Sequence, residues 1–333
     1  MNVDVVVMWV DGNDPEWIKE KNKYSPVKID DSNSTNRFRD WGLMKYWFRS
    51  IEKYMPWIRK IFFVTWGHTP DFLKLNHPKL RIVKHTDFIP EKYLPTFSAN
   101  PIEMNLHRIP DLSEHFILFN DDMFVTKPLS KSYFFKNGLP CGYYAEIPFG
   151  FIGKFEVWQM LCVNDLRILN KDFSKKQAIK TNFFKYFNTE YSLKDNIRSA
   201  IMTLTAGSYF TGFKSLHSPA AYCKSTFIDL WNKEYEILDS TSSHRFRSNE
   251  DVNQWLALWW QYACGKFSPQ KMNCCTFSAN ENNIKDVCKA IVRQSYDMIC
   301  INDPESETDY LSLSKKITKS FEKVLPQKSS FEV

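Results

Sequence analysis

The chain has 333 residues, of which 43% are hydrophobic and 16% aromatic, enough for a packed core and too many for a disordered chain. No apolar run approaches the roughly 18 to 20 residues that cross a bilayer, and Met1 leads straight into the strand-like Val3-Asp4-Val5-Val6-Val7 without the features of a signal peptide, so a secreted or membrane-spanning protein is not expected. The net charge of +6 suits handling of anions such as sugar nucleotides or lipid phosphates, suits weak nucleic-acid binding as well, and alone selects neither.

Residues 3–9 form a β-branched run closed by the turn signal Asp11-Gly12-Asn13-Asp14-Pro15. A polar stretch over 28–36 reads as a loop. Asp40 can cap a helix with Leu43, Trp47, Ile51 and Tyr54 on its apolar face. Strands are expected over 61–65, 80–83 and 116–119, with a short helix over 102–108 before the last. Strands separated by crossovers imply an α/β fold with a mostly parallel, doubly wound sheet, whose ligands sit beyond the carboxyl ends of the strands.

Residues 155–205 look helical and rich in Lys and Asn, as an insertion or lid would be. Ser218-Pro219 predicts a helix running through Trp231. Ser248 with Asp251 predicts a capping box, followed by a helix with Val252, Trp255, Leu256, Trp259 and Ala263 on one face and Gly265 at its end. The tryptophans at that spacing read as core rather than as a stacking platform. With no repeat and no Gly/Ser linker, one composite domain is expected: an α/β part over 1–150, the helical insertion or lid over 151–210 and a segment completing the site over 211–333. The eight cysteines include no Cys-x-x-Cys pair, which argues against structural zinc and for reduced thiols in a cytoplasmic protein.

Six groups of residues could carry chemistry. Asn120-Asp121-Asp122 ends an apolar strand, where adjacent acids suit a divalent cation on a diphosphate or a base for an attacking hydroxyl; an ordinary turn has the same composition. Glu103 and His107, four apart and followed by Arg108, share a helix face, as a solvated ion pair also would. His244-Arg245-Phe246-Arg247 precedes the expected Ser248 cap, and Arg37-Phe38-Arg39 precedes the expected Asp40 cap. Cations there oppose the helix dipole unless they share an anion, which points to phosphate. His217 is expected at a third helix start, and Asn302-Asp303 follows an apolar run. The absence of Gly-x-Gly-x-x-Gly and of a Walker lysine disfavours dinucleotides and ATP.

In this order the segments resemble the Stealth family of sugar-1-phosphate transferases. Residues 5–15 resemble its first signature, with Val7-Met8 as a small departure. The second is similar to residues 37–61, 94–110 and 119–124, where Lys45 stands in place of a frequent arginine. His217-Ser218-Pro219 and His244-Arg245-Phe246-Arg247 resemble the third, and Cys300-Ile301-Asn302-Asp303 with the terminal 321–332 resembles the fourth. The resemblance implies a GT-A-like α/β fold and dependence on a divalent cation, Mg2+ or Mn2+, with Asp121, Asp122 and Asp303 as candidate ligands. It places Glu103, Asp122, His217 and Arg247 at catalytic positions. Trp9, Val10, Asp11, Gly12, Asp14, Arg37 and Arg247 are then expected to bind the nucleotide-sugar donor, and His107, Arg108, Asn120 and Asn302 to support the acceptor.

The reaction so implied moves a sugar-1-phosphate from a UDP-sugar or similar donor to a hydroxyl of an oligo- or polysaccharide, free or lipid-linked, in capsule or exopolysaccharide synthesis. No nucleic-acid partner is expected, and the place of action is the cytoplasm or the inner face of the membrane beside capsule machinery. The rivals are a glycosyltransferase that releases UDP and a non-catalytic polysaccharide- or nucleic-acid-binding protein.

Overall fold

A computed structural model describes residues 1–25, 38–149, 157–214, 216–303 and 309–333. Its centre is a five-stranded sheet in the order β3-β2-β1-β4-β8. These strands are β1 (Val3–Met8), β2 (Ile61–Thr65), β3 (Leu80–Lys84), β4 (His115–Asn120) and β8 (Ala220–Cys223). The first four run parallel and β8 returns antiparallel on β4. Strands β1, β2 and β4 are buried almost throughout because both faces of the sheet are covered, whereas Arg81 and Lys84 of the edge strand β3 are exposed. Val5, Val7, Phe63 and Phe119 point to one core, while Val6, Phe62, Val64 and Leu118 point to the other.

On the first face pack α2 (Met44–Tyr54), α11 (Ile284–Val292) and α12 (Tyr310–Val324). Beside them lies a second sheet of β5 (Met123–Val125), β10 (Cys274–Ser278) and β11 (Met298–Asn302). On the opposite face pack α3 (Ala99–Asn105), α5 (Val157–Asp172), α8 (Lys224–Lys233), α9 (Tyr235–Ser243) and α10 (Gln254–Ala263). The remaining elements are α1 (Pro15–Tyr24), α4 (Lys131–Phe134), α6 (Lys175–Tyr186) and α7 (Leu193–Ala206). A small third sheet joins β6 (Phe135–Lys136), β7 (Leu139–Gly142) and β9 (Ser268–Pro269).

Three helix starts differ from expectation, and each difference moves a candidate residue. Ser218-Pro219 opens β8 rather than a helix, because Ala220 and Tyr222 pair with Leu118 and Phe116; helix α8 begins only at Lys224. Ser248 and Asp251 close a local turn in which Asp251 accepts from the Ser248 amide at 3.0 Å, but the helix waits for Asn253, whose side chain accepts from the Trp255 amide at 2.9 Å. The Arg245–Arg247 cations therefore follow the end of α9, where the dipole favours positive charge. Asp40 closes an Asx turn on the Gly42 amide at 2.7 Å, while α2 starts at Met44 with no side-chain cap. The expected face Leu43, Trp47, Ile51 and Tyr54 is buried. Asp14-Pro15, expected only as a turn, is also the cap and first position of α1, with Asp14 accepting from the Trp17 amide at 2.8 Å.

The carboxyl-terminal strap is tied to α2. Arg49 donates to both oxygens of Glu332 at 2.8 and 2.7 Å, and Phe331 lies buried against Phe48 with ring centroids 5.2 Å apart. Burial alone raises the Glu332 pKa, but hydrogen bonds from Arg49 and Ser329 outweigh it and hold the carboxyl below its ordinary range. Glu332→Ala leaves a largely desolvated guanidinium without its partner and is expected to cost about 3–5 kcal/mol in denaturant melts. A cost under about 1 kcal/mol would make the strap peripheral.

Candidate active site

Parallel pairing sets the site. Met8 lies beside Asn120 and Val64, so the segments that leave β1, β2 and β4 emerge together at one edge. That edge carries Trp9 to Asp14, His68, and Asn120 to Asp122. Gly12 is a glycine because of close approach: a Cβ there would meet the Phe38 carbonyl oxygen at 2.0 Å. The Phe38–Asp40 segment consequently lies on the end of β1, with Asp40 close enough to Asp11 for repulsion to help raise the Asp40 pKa, after burial.

The half-buried carboxylates repel one another. Asp121 is held well above its ordinary range by burial first, then by Asp122 and by Asp40. Burial also raises Asp122, although His217 and Cys300 act to lower it. A ligating atom of each of Asp122, His217 and Cys300 lies within 4.8 Å of the others. The Cys300 thiol is kept protonated by burial and by the Asp122 and Asp121 charges, and faces Asp122 Oδ2 at 3.3 Å and Asn302 Oδ1 at 3.0 Å. Polar atoms without a partner among the described residues gather at the same edge: Trp9 Nε1, Asn120 Oδ1 and Asp122 Oδ1, all buried. Such atoms mark a place where a ligand or ion completes the set. Oxygen donors and mutual repulsion fit a hard divalent cation at Asp121 and Asp122, whereas a protonated thiol does not.

His217 reaches this edge through β8 rather than from a helix start. Its backbone has φ +37°, a left-handed conformation that a non-glycine residue adopts only under constraint from its surroundings. Thr276 Oγ1 donates to its carbonyl at 3.4 Å. The ring meets Trp255 edge-on at 6.3 Å between centroids. Together with Gln254, Trp255, Trp259, Tyr143 and Lys214, His217 lines a cleft.

Glu103 is connected to this cleft through Gln254. Its buried carboxylate accepts from the Gln254 amide at 2.9 Å and from Gln254 Nε2 at 3.4 Å, so it also satisfies the start of α10. Burial pushes its pKa up to about 7, against the Gln254 hydrogen bond and the nearby positive charge of Arg247. Glu103, Asp122, His217 and Arg247 thus form one line: Arg247 beside Glu103, Glu103 on Gln254, Gln254 and His217 on one cleft, His217 beside Asp122.

The other expected residues take varied positions. Asp14 caps α1, and Val10 and Asp11 are half-buried at the edge. Asp303 is partnered by Arg39 at 3.4 Å and by Trp41 Nε1 at 3.3 Å, and does not belong to the Asp122–His217–Cys300 group. Asn302 turns to Cys300. His107 packs on Phe227 and Trp231, and Arg108 lies over Trp231 and donates to Asn105, so their partners come from α3 and α8 rather than from the carboxylates. Arg37 lies outside the described residues. His68 was not expected: its Nε2 accepts from the Asp11 amide at 2.9 Å and so holds the turn after β1. Its only sequence signal is its place three residues beyond the end of β2.

The raised pKa of Glu103 has a definite sign for stability. A carboxyl at about 7 when folded, against an ordinary 4.5, stabilises fully below pH 4.5 and loses that contribution as pH rises through 7. Glu103→Gln keeps an acceptor for the Gln254 amide and should remove that decline, on the order of 3 kcal/mol by linkage. Parallel pH profiles for the two proteins between pH 4.5 and 8 would show that Glu103 is ionised throughout.

The family models for Stealth protein CR1, conserved region 1, and CR2, conserved region 2, match residues 1–26 and 37–141. The capsular polysaccharide phosphotransferase WcwK of Streptococcus pneumoniae is 41% identical over 99% of this chain and 98% of its own length. The receptor polysaccharide phosphotransferase WefC of Streptococcus gordonii is 39% identical over 99% of both. The exopolysaccharide phosphotransferase cps2G of Lactiplantibacillus plantarum is 34% identical over 99% of this chain and 96% of its own. Among solved structures, the galactosyltransferase LgtC with donor and acceptor sugar analogs aligns over 98% of both chains at 8% identity and a TM-score of 0.40, a likeness too slight to carry an argument.

Proposed function

The chain belongs to the Stealth family, and on that premise we propose that it transfers a sugar-1-phosphate from a nucleotide diphosphosugar to a sugar hydroxyl, forming a phosphodiester in capsule or exopolysaccharide synthesis. The observation that carries the reading is the Asp122–His217 pair, set between repelling strand-end carboxylates and an aromatic cleft. The carboxylates suit the metal-assisted handling of a diphosphate, and the cleft suits the flat face of a sugar. The names of the relatives support phosphotransfer over an ordinary glycosyltransferase and over a non-catalytic binding protein.

Asp121 and Asp122 would hold a divalent cation, Mg2+ or Mn2+, which when bound would neutralise charge on the donor diphosphate. His217 accepts the proton of the acceptor hydroxyl, and Asp122 orients the imidazole and stabilises its charge. The acceptor oxygen bonds to the β-phosphorus as the bond from that phosphorus to the bridging oxygen breaks, and a nucleoside monophosphate leaves. Arg247 faces the donor phosphates, with Glu103 positioning it and, through Gln254, the wall of the cleft. Trp9 and the turn from Val10 to Asp14, held by His68, form the nucleotide side. The acceptor is a growing oligosaccharide, lipid-linked or free.

With a UDP-sugar donor and capsule oligosaccharides, turnover should release UMP and give a product with a diester signal in phosphorus NMR. Stoichiometric UDP with a phosphate-free glycoside would replace this reading with the glycosyltransferase, and donor binding without turnover would leave the binding protein. His217→Gln and Asp122→Asn should each lower kcat by roughly two or more orders of magnitude while melting normally. Near-normal kcat in both would remove them from the proton path.

A further inference from the structure

Helices α6 and α7 each carry large apolar side chains exposed to solvent. Leu193, Ile197, Ile201 and Leu204 recur at intervals of four, four and three, so they line one stripe along α7. Leu193 is 76% exposed, Leu204 85%, and the two isoleucines about half. On α6, Phe184 is 80% exposed and Phe183 half-exposed. The same hairpin carries Lys176, Lys180 and Lys194, all exposed. Its opposite face is built into the protein. Asp195 accepts from Tyr143 Oη at 2.6 Å and from Lys214 Nζ at 3.1 Å, Ser199 Oγ accepts from the Glu146 amide at 3.0 Å, and Lys175 is buried against Glu146 at 3.0 Å.

We propose that this hairpin is the site at which the protein docks on an anionic bilayer, with the α7 stripe and Phe183 and Phe184 inserted at the level of the headgroups. Charge selects this occupant. A symmetric contact with a second copy would bring these lysines against their own kind, whereas an anionic surface attracts each of them. Length excludes a span: α7 has 14 residues, and no helix among the described residues is long and apolar enough to cross a membrane. Tyr143 and Lys214, which hold the inner face of α7 through Asp195, also line the cleft beside His217. Docking on α7 therefore brings that cleft near the membrane surface, where a lipid-linked acceptor sugar lies. The docking itself stands independently of the phosphotransfer reading.

Flotation of the whole chain with vesicles tests it. The protein should float with vesicles containing phosphatidylglycerol, less so as salt rises, and stay behind with phosphatidylcholine alone. The double variant Ile197→Asp/Leu204→Asp changes two exposed side chains and should lose at least about tenfold in vesicle partition. Lys176→Gln/Lys180→Gln/Lys194→Gln, which leaves the stripe intact, should lose up to about fivefold per lysine; it decides the matter if the aspartate variant fails to melt like wild type. Failure of the wild type to float with phosphatidylglycerol vesicles overturns the proposal. So does equal flotation of the folded variants, or a dimer in sedimentation that the aspartates abolish without any vesicle binding. Loss of flotation with UMP release intact would leave the phosphotransfer reading standing.

Discussion

Parallel register between β1 and β4 is the constraint on which the site depends. With Met8 opposite Asn120, the turns after both strands must share one edge, and four acidic residues meet there: Asp11, Asp40, Asp121 and Asp122. Close packing at Gly12 brings Asp40 into the group. Burial, Asp122 and Asp40 all hold Asp121 well above its ordinary range, and the backbone hydrogen bonds of Asp121 and Asp122 do not offset them. A fold holds such repulsion at some cost to its own stability, and a cationic ligand relieves it.

The antiparallel return of β8 does the complementary work. Pairing with β4 forces the chain just before it, at His217, to turn sharply at the carboxylate edge, and the positive φ of that residue reflects the turn. The following strand and helices then bring α10 back, so that Trp255 meets the imidazole and Gln254 meets Glu103. One edge of the sheet thus joins a polar, acidic half to an aromatic half. Phosphoryl transfer to a sugar needs both, since a diphosphate requires charge neutralisation and a pyranose offers an apolar face.

The helical hairpin couples this edge to the outside. Asp195 and Ser199 on one face of α7 hold Tyr143 and the backbone at Glu146, while leucine and isoleucine occupy the other face. A buried Lys175–Glu146 pair, also bonded by Tyr144 and Thr211, anchors the hairpin at its base. A buried pair of this kind adds little net stability, and its geometry selects one position for the hairpin. That fixed position is what relates the outer stripe to the cleft.

Much of the protein is determined locally and so by sequence alone. The apolar runs of β1, β2 and β4 specify buried parallel strands, Leu43 to Tyr54 specify the buried face of α2, and Asn120-Asp121-Asp122 must then lie at a strand end. The segments quoted from the first two signatures lie within the regions that match the family. What sequence could not decide were places where a local signal competes with a partner distant in the chain. Ser218-Pro219 and Ser248-Asp251 both carry good helix-start chemistry, yet pairing of Ala220 with Leu118 draws the first into a strand, and Asn253 displaces the second. With them went the helix dipole argument for phosphate at Arg247, and the tertiary structure placed that arginine beside Glu103 instead. His68, Asp40 and Gln254 enter the site only through the three-dimensional approach of separate segments, as does the pairing of Asp303 with Arg39. Periodicity and capping are properties of a few neighbouring residues, whereas a site made from segments distant in the chain is a property of their packing.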